Sequence, residues 1–293
     1  MQMSGLRWDV GAASVTRVVE REATLPPGSF IPGATLEVLE RNREHLFPWS
    51  VDAEGQLGLS IHALCVAVDG LRIVVDTCVG PHPLPGIFEA MRDDGSFLVA
   101  LADAGFPREE IDVVICTHLH FDHVGWNTMT VDGALVPTFP NARYLIARTE
   151  YEHWSAASAE AKEHATAFTL PNTVDPLFGF GVVDLVETDH RVSASVALFP
   201  TPGHSPGHVS VRIDSADAAA IITGDCVHHP VQLAEPACAS GVDDDPVQST
   251  ATREALIAAT LDTGILVIGT HFPPPTAGHI VTTPDGPRFR PLG

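Results

Sequence analysis

The sequence predicts an α+β fold in which a sandwich of β-sheets is flanked by helices. Runs rich in β-branched and apolar residues dominate both halves of the chain, and segments of helical character lie between and after them. With 293 residues, of which 45% are hydrophobic, the chain is long enough to bury a large core. No short-period repeat or low-complexity tract interrupts this organisation.

The first half of the chain contains a predicted β-hairpin. Two apolar runs, 59–68 and 71–76, are separated by Asp69-Gly70, a favoured two-residue hairpin turn. The next predicted elements are a helix at 95–104, which ends before Gly105 and Pro107, and a buried strand at 111–117.

The second half has the same organisation, with short apolar runs that predict strands and one longer segment that predicts a helix. The strands are predicted near 182–186, 194–199, 208–213, 219–223 and 265–268, and the helix at 249–262. We therefore expect a single domain over residues 1–293, with an N-terminal extension at about 1–55 and an inserted loop and helix region at about 127–181.

Acidic residues strongly outnumber basic ones. Sixteen Lys and Arg against 37 Asp and Glu give a formal charge of −21, which would repel a phosphate backbone. We therefore expect a small-molecule substrate without strong negative charge and no nucleic-acid partner. The sequence has no run of about eighteen apolar residues and no signal-peptide pattern. We expect a cytoplasmic protein that does not bind membranes.

The cysteines do not indicate a disulfide framework. They are odd in number and form no CxxC pair. Cys65 and Cys116 lie inside apolar runs, so we expect them to be small core residues.

Four potential metal ligands directly follow the predicted strand at 111–117. They are His118, His120, Asp122 and His123, within six residues of one another. A loop at this point lets their side chains converge, whereas a continuing strand would send neighbours to opposite faces. Imidazole and carboxylate groups together suit Zn, Fe, Mn or Co.

Three further candidate ligands lie where later predicted strands give way to Gly- or Pro-marked turns. They are His204 in TPGHSPGH, Asp225 in ITGDC and His271 in VIGTHFP. Seven ligands are too many for one tetrahedral ion and suit two, provided that Asp225 bridges them. The sequence therefore predicts a binuclear metal centre.

The order HxHxDH, His, Asp and His over residues 118–271 resembles the signature of the metallo-β-lactamase superfamily. The resemblance implies an αββα sandwich that holds two divalent metal ions, with zinc as the expected metal and Fe, Mn or Co as alternatives. It also implies how the ligands are shared between the ions. The first ion would bind His118, His120 and His204, the second would bind Asp122, His123 and His271, and Asp225 would bridge them.

Such a centre predicts hydrolytic chemistry. Two divalent ions about 3.5–4 Å apart can share a hydroxide near neutral pH, and we expect this hydroxide to attack the carbonyl of the substrate. Asp225 would take part as the bridging group, and Asp122 is the nearest candidate for carrying a proton to the leaving group. By the family resemblance, Asp76 in VVDTC would not bind the metal itself but would help to orient the ligand imidazoles.

His228 is a third candidate catalytic residue. It is the third residue after Asp225, where quorum-quenching lactonases of this superfamily commonly place a Tyr that contacts the substrate carbonyl. His228 could donate the equivalent hydrogen bond, or it could be a surface residue beside His229.

The predicted substrate is a neutral, fairly hydrophobic lactone or ester. The segments DCVHHPVQL and GTHFPPPTAGHI resemble the branch that contains methyl parathion hydrolase and related lactonases and arylesterases. Phosphotriesterase, β-lactamase and thioesterase activities stay open, as does a metal-dependent binding or sensor module without turnover.

The resemblance also makes a homodimer plausible, with residues 25–50 as an arm. Candidate pocket aromatics are Phe47, Trp49, Trp126, Phe139 and the Phe178 to Phe180 region.

Overall fold

Strands make up much of the computed structural model, which describes residues 6–160 and 165–292. Residues 1–5, 161–164 and 293 lie outside the described residues, and they include the start of the predicted N-terminal extension and part of the predicted insertion. In chain order the strands are β1 (Arg7–Val10), β2 (Ala13–Leu25), β3 (Leu57–Val68), β4 (Leu71–Val75), β5 (Val113–Cys116), β6 (Thr128–Val131), β7 (Ala134–Pro137), β8 (Arg143–Ala147), β9 (Val183–Val186), β10 (Val196–Pro200), β11 (Val209–Ser215), β12 (Ala218–Ile222), β13 (Leu266–Ile268), β14 (Ala277–Thr283) and β15 (Gly286–Pro291).

Helices connect many of these strands. None in the described ranges is long and apolar enough to cross a membrane. In chain order they are α1 (Leu36–Arg41), α2 (Arg43–Leu46), α3 (Ser96–Asp103), α4 (Phe121–Val124), α5 (Arg148–Glu160), α6 (Ala165–Thr173), α7 (Asp175–Gly179), α8 (Val231–Ala234) and α9 (Pro246–Thr260), with short 3₁₀ turns at Gly86–Met91, Arg108–Glu110, Gly125–Asn127 and Gly224–Cys226.

Two large sheets pack face to face. The first contains seven strands in the order β1-β2-β3-β4-β5-β8-β9, and the second contains six in the order β10-β11-β12-β13-β14-β15. Strands β6 and β7 form a separate hairpin. Buried side chains from both large sheets form one hydrophobic cluster between them, and each sheet has a second cluster on its outer face, where helices cover it.

Alternation along the strands creates these layers. On β4, Ile73 and Val75 belong to the cluster between the sheets, whereas Val74 belongs to the outer cluster that contains residues of α3 and α5. On β12, Ile222 joins the inter-sheet cluster and Ile221 joins the outer cluster that contains residues of α9. Strands covered on both faces read as continuous apolar runs. The αββα sandwich that the sequence predicted is confirmed.

The predicted hairpin at 59–76 is also confirmed. Strands β3 and β4 pair antiparallel, and Asp69 and Gly70 have φ angles of 54° and 78°, the positive values that a type I′ turn requires. The predicted helices at 95–104 and 249–262 correspond to α3 and α9. The sequence patterns did not indicate β1, β2, β14 or β15, nor the strands β6, β7 and β8 within the predicted loop and helix region at about 127–181. Half of β2 is partly exposed, so it lacks the apolar alternation that marks a half-buried strand.

The predicted N-terminal extension contributes to the fold in two ways. Its first part supplies β1 and β2 to the first sheet. Residues 26–56, which include the predicted arm, form a small hydrophobic cluster in which Ile31, Leu39 and Leu46 pack with Val231. All five cysteines of the chain are free and buried, which agrees with the prediction for Cys65 and Cys116.

The strand directions bring several loops to one edge of the sandwich. Strands β4 and β5 run parallel in the first sheet, and β12 and β13 run parallel in the second. The carboxyl ends of parallel strands lie at the same edge of a sheet, so the loops that follow these strands are neighbours. All the predicted metal ligands except His204 lie in the segments that directly follow β5, β12 and β13. His204 follows β10, which runs in the same direction as β12 because both pair antiparallel with β11.

Glu20 on β2 holds the loop that follows β4. Its carboxylate accepts hydrogen bonds from the backbone N–H groups of Val79 and Gly80 at 2.9 and 3.0 Å, and from Trp126 Nε1 at 3.0 Å. Burial raises the pKa of Glu20 from 4.5 to about 7, although these three hydrogen bonds oppose the shift.

This pKa predicts how stability depends on pH. Because the folded chain binds the Glu20 proton more tightly than the unfolded chain, protonated Glu20 stabilises the fold below about pH 4.5, and this contribution is lost as the pH rises through about 7. Relative to Glu20→Gln, the wild-type free energy of unfolding should fall by up to about 3 kcal/mol between pH 4.5 and 8. Urea unfolding at several pH values measures this, with exposed Glu44→Gln as the control. A difference that does not vary with pH would contradict the assignment.

Candidate metal centre

The loop after β5 presents three imidazoles and one carboxylate. Strand β5 ends at Cys116, and the short helix α4 begins at Phe121, so His118 and His120 lie in the intervening loop while Asp122 and His123 lie on the helix. His118 and His123 are at most 1% exposed, and His120 is 8% exposed. The change from strand to loop to helix brings all four side chains to the same region of the fold.

One group of potential ligands consists of His118, His120, His204 and Asp225. Their ligand atoms all lie within 4.8 Å of one another, close enough to hold one metal ion. His204 Nε2 lies 2.9 Å from His120 Nδ1. All four side chains are buried.

A second group consists of Asp122, His123 and His271, again within 4.8 Å. His271 Nε2 lies 3.2 Å from His123 Nε2, and each carboxylate oxygen of Asp122 lies 3.6 Å from one of these nitrogens. The Asp122 side chain is 18% exposed, more than the 5% or less of His118, His123, His204, Asp225 and His271.

Asp225 lies between the two groups. Its Oδ2 is 3.2 Å from His271 Nε2 and 3.3 Å from His123 Nε2 in one group, and 3.5 Å from His204 Nε2 and 3.7 Å from His118 Nε2 in the other. Burial alone would raise the pKa of Asp225, but the surrounding imidazoles hold it well below its usual range. One carboxylate oxygen thus faces both groups, as a bridging ligand does.

In their neutral form, the imidazoles of His123 and His271 turn unprotonated nitrogens towards the centre. His123 Nδ1 donates to Asp76 Oδ2 at 2.9 Å, and His271 Nδ1 donates to the carbonyl oxygen of Ser60 at 2.9 Å. In the neutral rings the two Nε2 atoms then carry lone pairs and face each other at 3.2 Å. Such an arrangement is unfavourable without a cation between the rings, and these residues therefore fit a bound metal ion.

The first group shows the same orientation. Thr117 Oγ1 donates to Asp76 Oδ2 at 2.9 Å, so the hydroxyl accepts from His118 Nδ1 at 3.1 Å and leaves His118 Nε2 free to bind a metal. In the described part of the chain, His118 Nε2 and Asp225 Oδ1 are buried without a hydrogen-bond partner. Each such atom costs about 1–3 kcal/mol, a penalty that a coordinated cation removes.

Two further residues, Asp243 and His208, support the site, and neither was predicted from the sequence. Asp243 Oδ1 accepts from His204 Nδ1 at 2.9 Å, and the buried Arg253 guanidinium lies 3.4 Å from the other oxygen of Asp243. His208 Nε2 accepts the backbone N–H of Asp225 at 2.8 Å, and burial lowers its pKa to about 3, which keeps it neutral. The second histidine of TPGHSPGH was the only signal for His208, and nothing in the spacing marked Asp243.

His228 lies inside the site and not at the surface. Its side chain is fully buried, with Nε2 3.3 Å from Asp225 Oδ2 and its ring parallel to that of His271. Neither ring nitrogen has a hydrogen-bond partner among the described residues. The edge of Phe30 packs on the ring at a centroid distance of 5.1 Å. His229 is also buried and bonds the carbonyl oxygen of Ser50 at 2.9 Å. The interpretation of His228 as a surface residue was wrong.

The aromatic residues predicted to line a pocket lie in different surroundings. Trp126 and Phe139 are buried in the core between the first sheet and its helices. Phe47 packs at the edge of the N-terminal cluster, and Phe178 and Phe180 are exposed. Phe30, which contacts the site through His228, was not among those predicted.

Comparison with known proteins agrees with this geometry. The chain belongs to the metallo-beta-lactamase superfamily, whose sequence profile matches residues 59–271.

The chain is also similar to individual proteins and solved structures. An N-acyl homoserine lactonase of Bacillus cereus is 32% identical over 136 residues, which are 46% of this chain and 46% of the relative, so the match spans about half of each protein. Among solved structures, the hydrolase AbOPH superimposes with a TM-score of 0.82 at 23% identity, covering 100% of this chain and 99% of that one. AidC, described as a dizinc quorum-quenching lactonase in complex with a product, superimposes with a TM-score of 0.76 at 21% identity, covering 98% and 97%.

The geometry predicts that metal binding depends on the shared carboxylate. Asp225→Ala and His118→Ala should each lower the metal content below that of the wild type, since Asp225 faces both groups and His118 belongs to the first. Elemental mass spectrometry after gel filtration measures this. His190→Ala, in the loop before β10, is the matched histidine control. Either site variant with the full wild-type metal content would contradict the ligand assignment.

Proposed function

We propose that this chain is a metal-dependent hydrolase that opens the ring of a neutral lactone, with N-acyl homoserine lactones as the first candidates. The observation that carries the proposal is the Asp225 carboxylate oxygen, which faces two buried groups of metal-binding side chains at 3.2–3.7 Å. Support for the substrate class comes from the similarity to a curated lactonase over half of the chain. The formal charge of −21 also favours a neutral substrate.

In the proposed site, two divalent ions would be held by the residues that the sequence predicted. The first would bind His118, His120 and His204, the second would bind Asp122, His123 and His271, and Asp225 would bridge them. When bound, such ions supply water activation at neutral pH and polarisation of a carbonyl. Zinc is the expected metal, and Fe, Mn or Co also suit the imidazole and carboxylate ligands.

The protein side chains then have distinct roles. We assign proton transfer to the leaving alkoxide to Asp122, because its carboxylate has the greatest solvent access among the buried ligand set. We assign the substrate carbonyl contact to His228, whose unpartnered ring nitrogens are buried beside Asp225. A hydrogen bond from a buried imidazole to the developing oxyanion would stabilise the transition state.

Substrates with a carboxylate or a glutathione group fit the site less well. Arg253, which contacts the Asp243 carboxylate beside His204, is fully buried, and its guanidinium donates to Asp243, Ser249 and backbone carbonyls. It therefore cannot reach a substrate anion. This favours neutral lactones and esters over the β-lactams and glutathione thioesters that the sequence left open.

The decisive experiment pairs metal content with turnover of a substrate panel. The panel contains an N-acyl homoserine lactone, a naphthyl ester, a phosphotriester, a thioester and a cephalosporin. Close to two metals per chain with preferred lactone turnover is the expected result. Preferred hydrolysis of another member would reassign the substrate, and a metal-replete protein inert towards all of them would favour a binding or sensor role. A protein without metal would refute the proposal.

The role of His228 predicts a selective kinetic defect. His228→Phe removes the hydrogen-bond donor but keeps an aromatic ring against Phe30 and His271, so kcat should fall by about 10- to 1,000-fold with a smaller change in KM. His228→Tyr, which restores a donor, should recover part of this loss. The metal content of both variants serves as the control. Wild-type kcat in metal-replete His228→Phe would show that His228 does not act on the substrate.

A further inference from the structure

Glu150 is a buried carboxylate that the proposed mechanism does not use. It lies in the first turn of α5 and is 1% exposed. Four donors surround it: the backbone N–H of Leu119 and Trp154 Nε1 reach Oε1 at 3.1 and 2.8 Å, and Ser205 Oγ and the backbone N–H of Gly207 reach Oε2 at 2.7 and 3.0 Å. Each oxygen thus accepts two hydrogen bonds.

These donors belong to the segments that carry the first group of metal-binding residues. Leu119 lies between His118 and His120, and Ser205 directly follows His204. The Trp154 indole, which Glu150 holds through its N–H, packs against the edge of the His120 ring at a centroid distance of 5.2 Å. One carboxylate therefore connects the loop after β5 in the first sheet with the loop after β10 in the second.

We propose that Glu150 is a positioning residue that fixes His118, His120 and His204 relative to one another, and so sets the affinity of the first metal group. This inference rests on the proposed function, because it assumes that the three imidazoles share a metal ion.

Backbone packing shows that this junction is tight. A Cβ atom on Gly207 would lie 2.2 Å from the Glu150 backbone nitrogen, so α5 contacts the loop after β10 at a position where only glycine fits.

Burial raises the pKa of Glu150, and the four donors oppose that shift by stabilising the ionised form. A neutral amide cannot replace the carboxylate, since its NH₂ group would face two donors.

The second metal group has different supports. His123 is held by Asp76 and His271 by the Ser60 carbonyl, and Asp122 lies on α4. Among the described residues, the hydrogen bonds of Glu150 reach none of these three side chains. Loss of Glu150 should therefore weaken one metal site and spare the other.

The test compares Glu150→Gln with Glu152→Gln, which makes the same chemical change at an exposed position of the same helix. Zinc affinity of each site is measured by chelator competition, and hydrogen exchange of individual amides is measured in the metal-free protein. In Glu150→Gln we expect about 10- to 100-fold weaker binding of one zinc, unchanged binding of the other, and faster exchange at Leu119 and Gly207. Glu152→Gln should match the wild type in all three measurements.

Each outcome separates this inference from the proposed function. Two tightly bound metals in Glu150→Gln, as in the wild type, would overturn the role of Glu150 and leave the hydrolase proposal standing. Equal weakening of both sites would also overturn it. A wild type that binds no metal would refute both proposals. If Glu150→Gln does not fold, Ser205→Ala removes only the hydroxyl donor beside His204, and it should weaken one zinc selectively by a smaller factor.

Discussion

The site depends on the contact between the Asp225 carboxylate and the imidazoles of four predicted metal ligands, whose Nε2 atoms lie within 3.7 Å of Asp225 Oδ2. These groups come from both sheets, so the contact forms only when the sandwich has closed. A buried carboxylate is costly unless positive charge lies beside it, and a cation held among the imidazoles offsets that cost. A positive charge bound at this point therefore also stabilises the packing of the two sheets against each other.

An outer layer of hydrogen bonds determines which nitrogen of each imidazole faces the site as an acceptor. Asp76, Asp243 and the Ser60 carbonyl each accept from the outward nitrogen of a different imidazole and so turn the inward nitrogen into an acceptor. Asp76 also reaches His118 through the Thr117 hydroxyl. These acceptors select the tautomer that binds metal before any metal arrives, which reduces the reorganisation that binding requires.

The N-terminal segment completes one wall of the centre. Phe30 packs on His228, the Ser50 carbonyl bonds His229, and Ser60 exchanges backbone and side-chain hydrogen bonds with His271. Residues that precede the metal-binding motifs in the sequence therefore line part of the site. Substrate selectivity in such a site depends on loops that the motifs do not include.

The sequence by itself determined the layered fold and the seven candidate ligands, because apolar strand patterns and the His and Asp residues at strand ends are local features. Only the tertiary structure placed His228 inside the site, assigned Phe30 to its wall, and showed that Asp243, His208 and Glu150 support it. These residues act through contacts between segments that are distant in the sequence, such as Phe30 with His228 and Glu150 with Ser205. No spacing along the chain encodes such contacts, since they arise only when the two sheets pack and bring their loops to one edge.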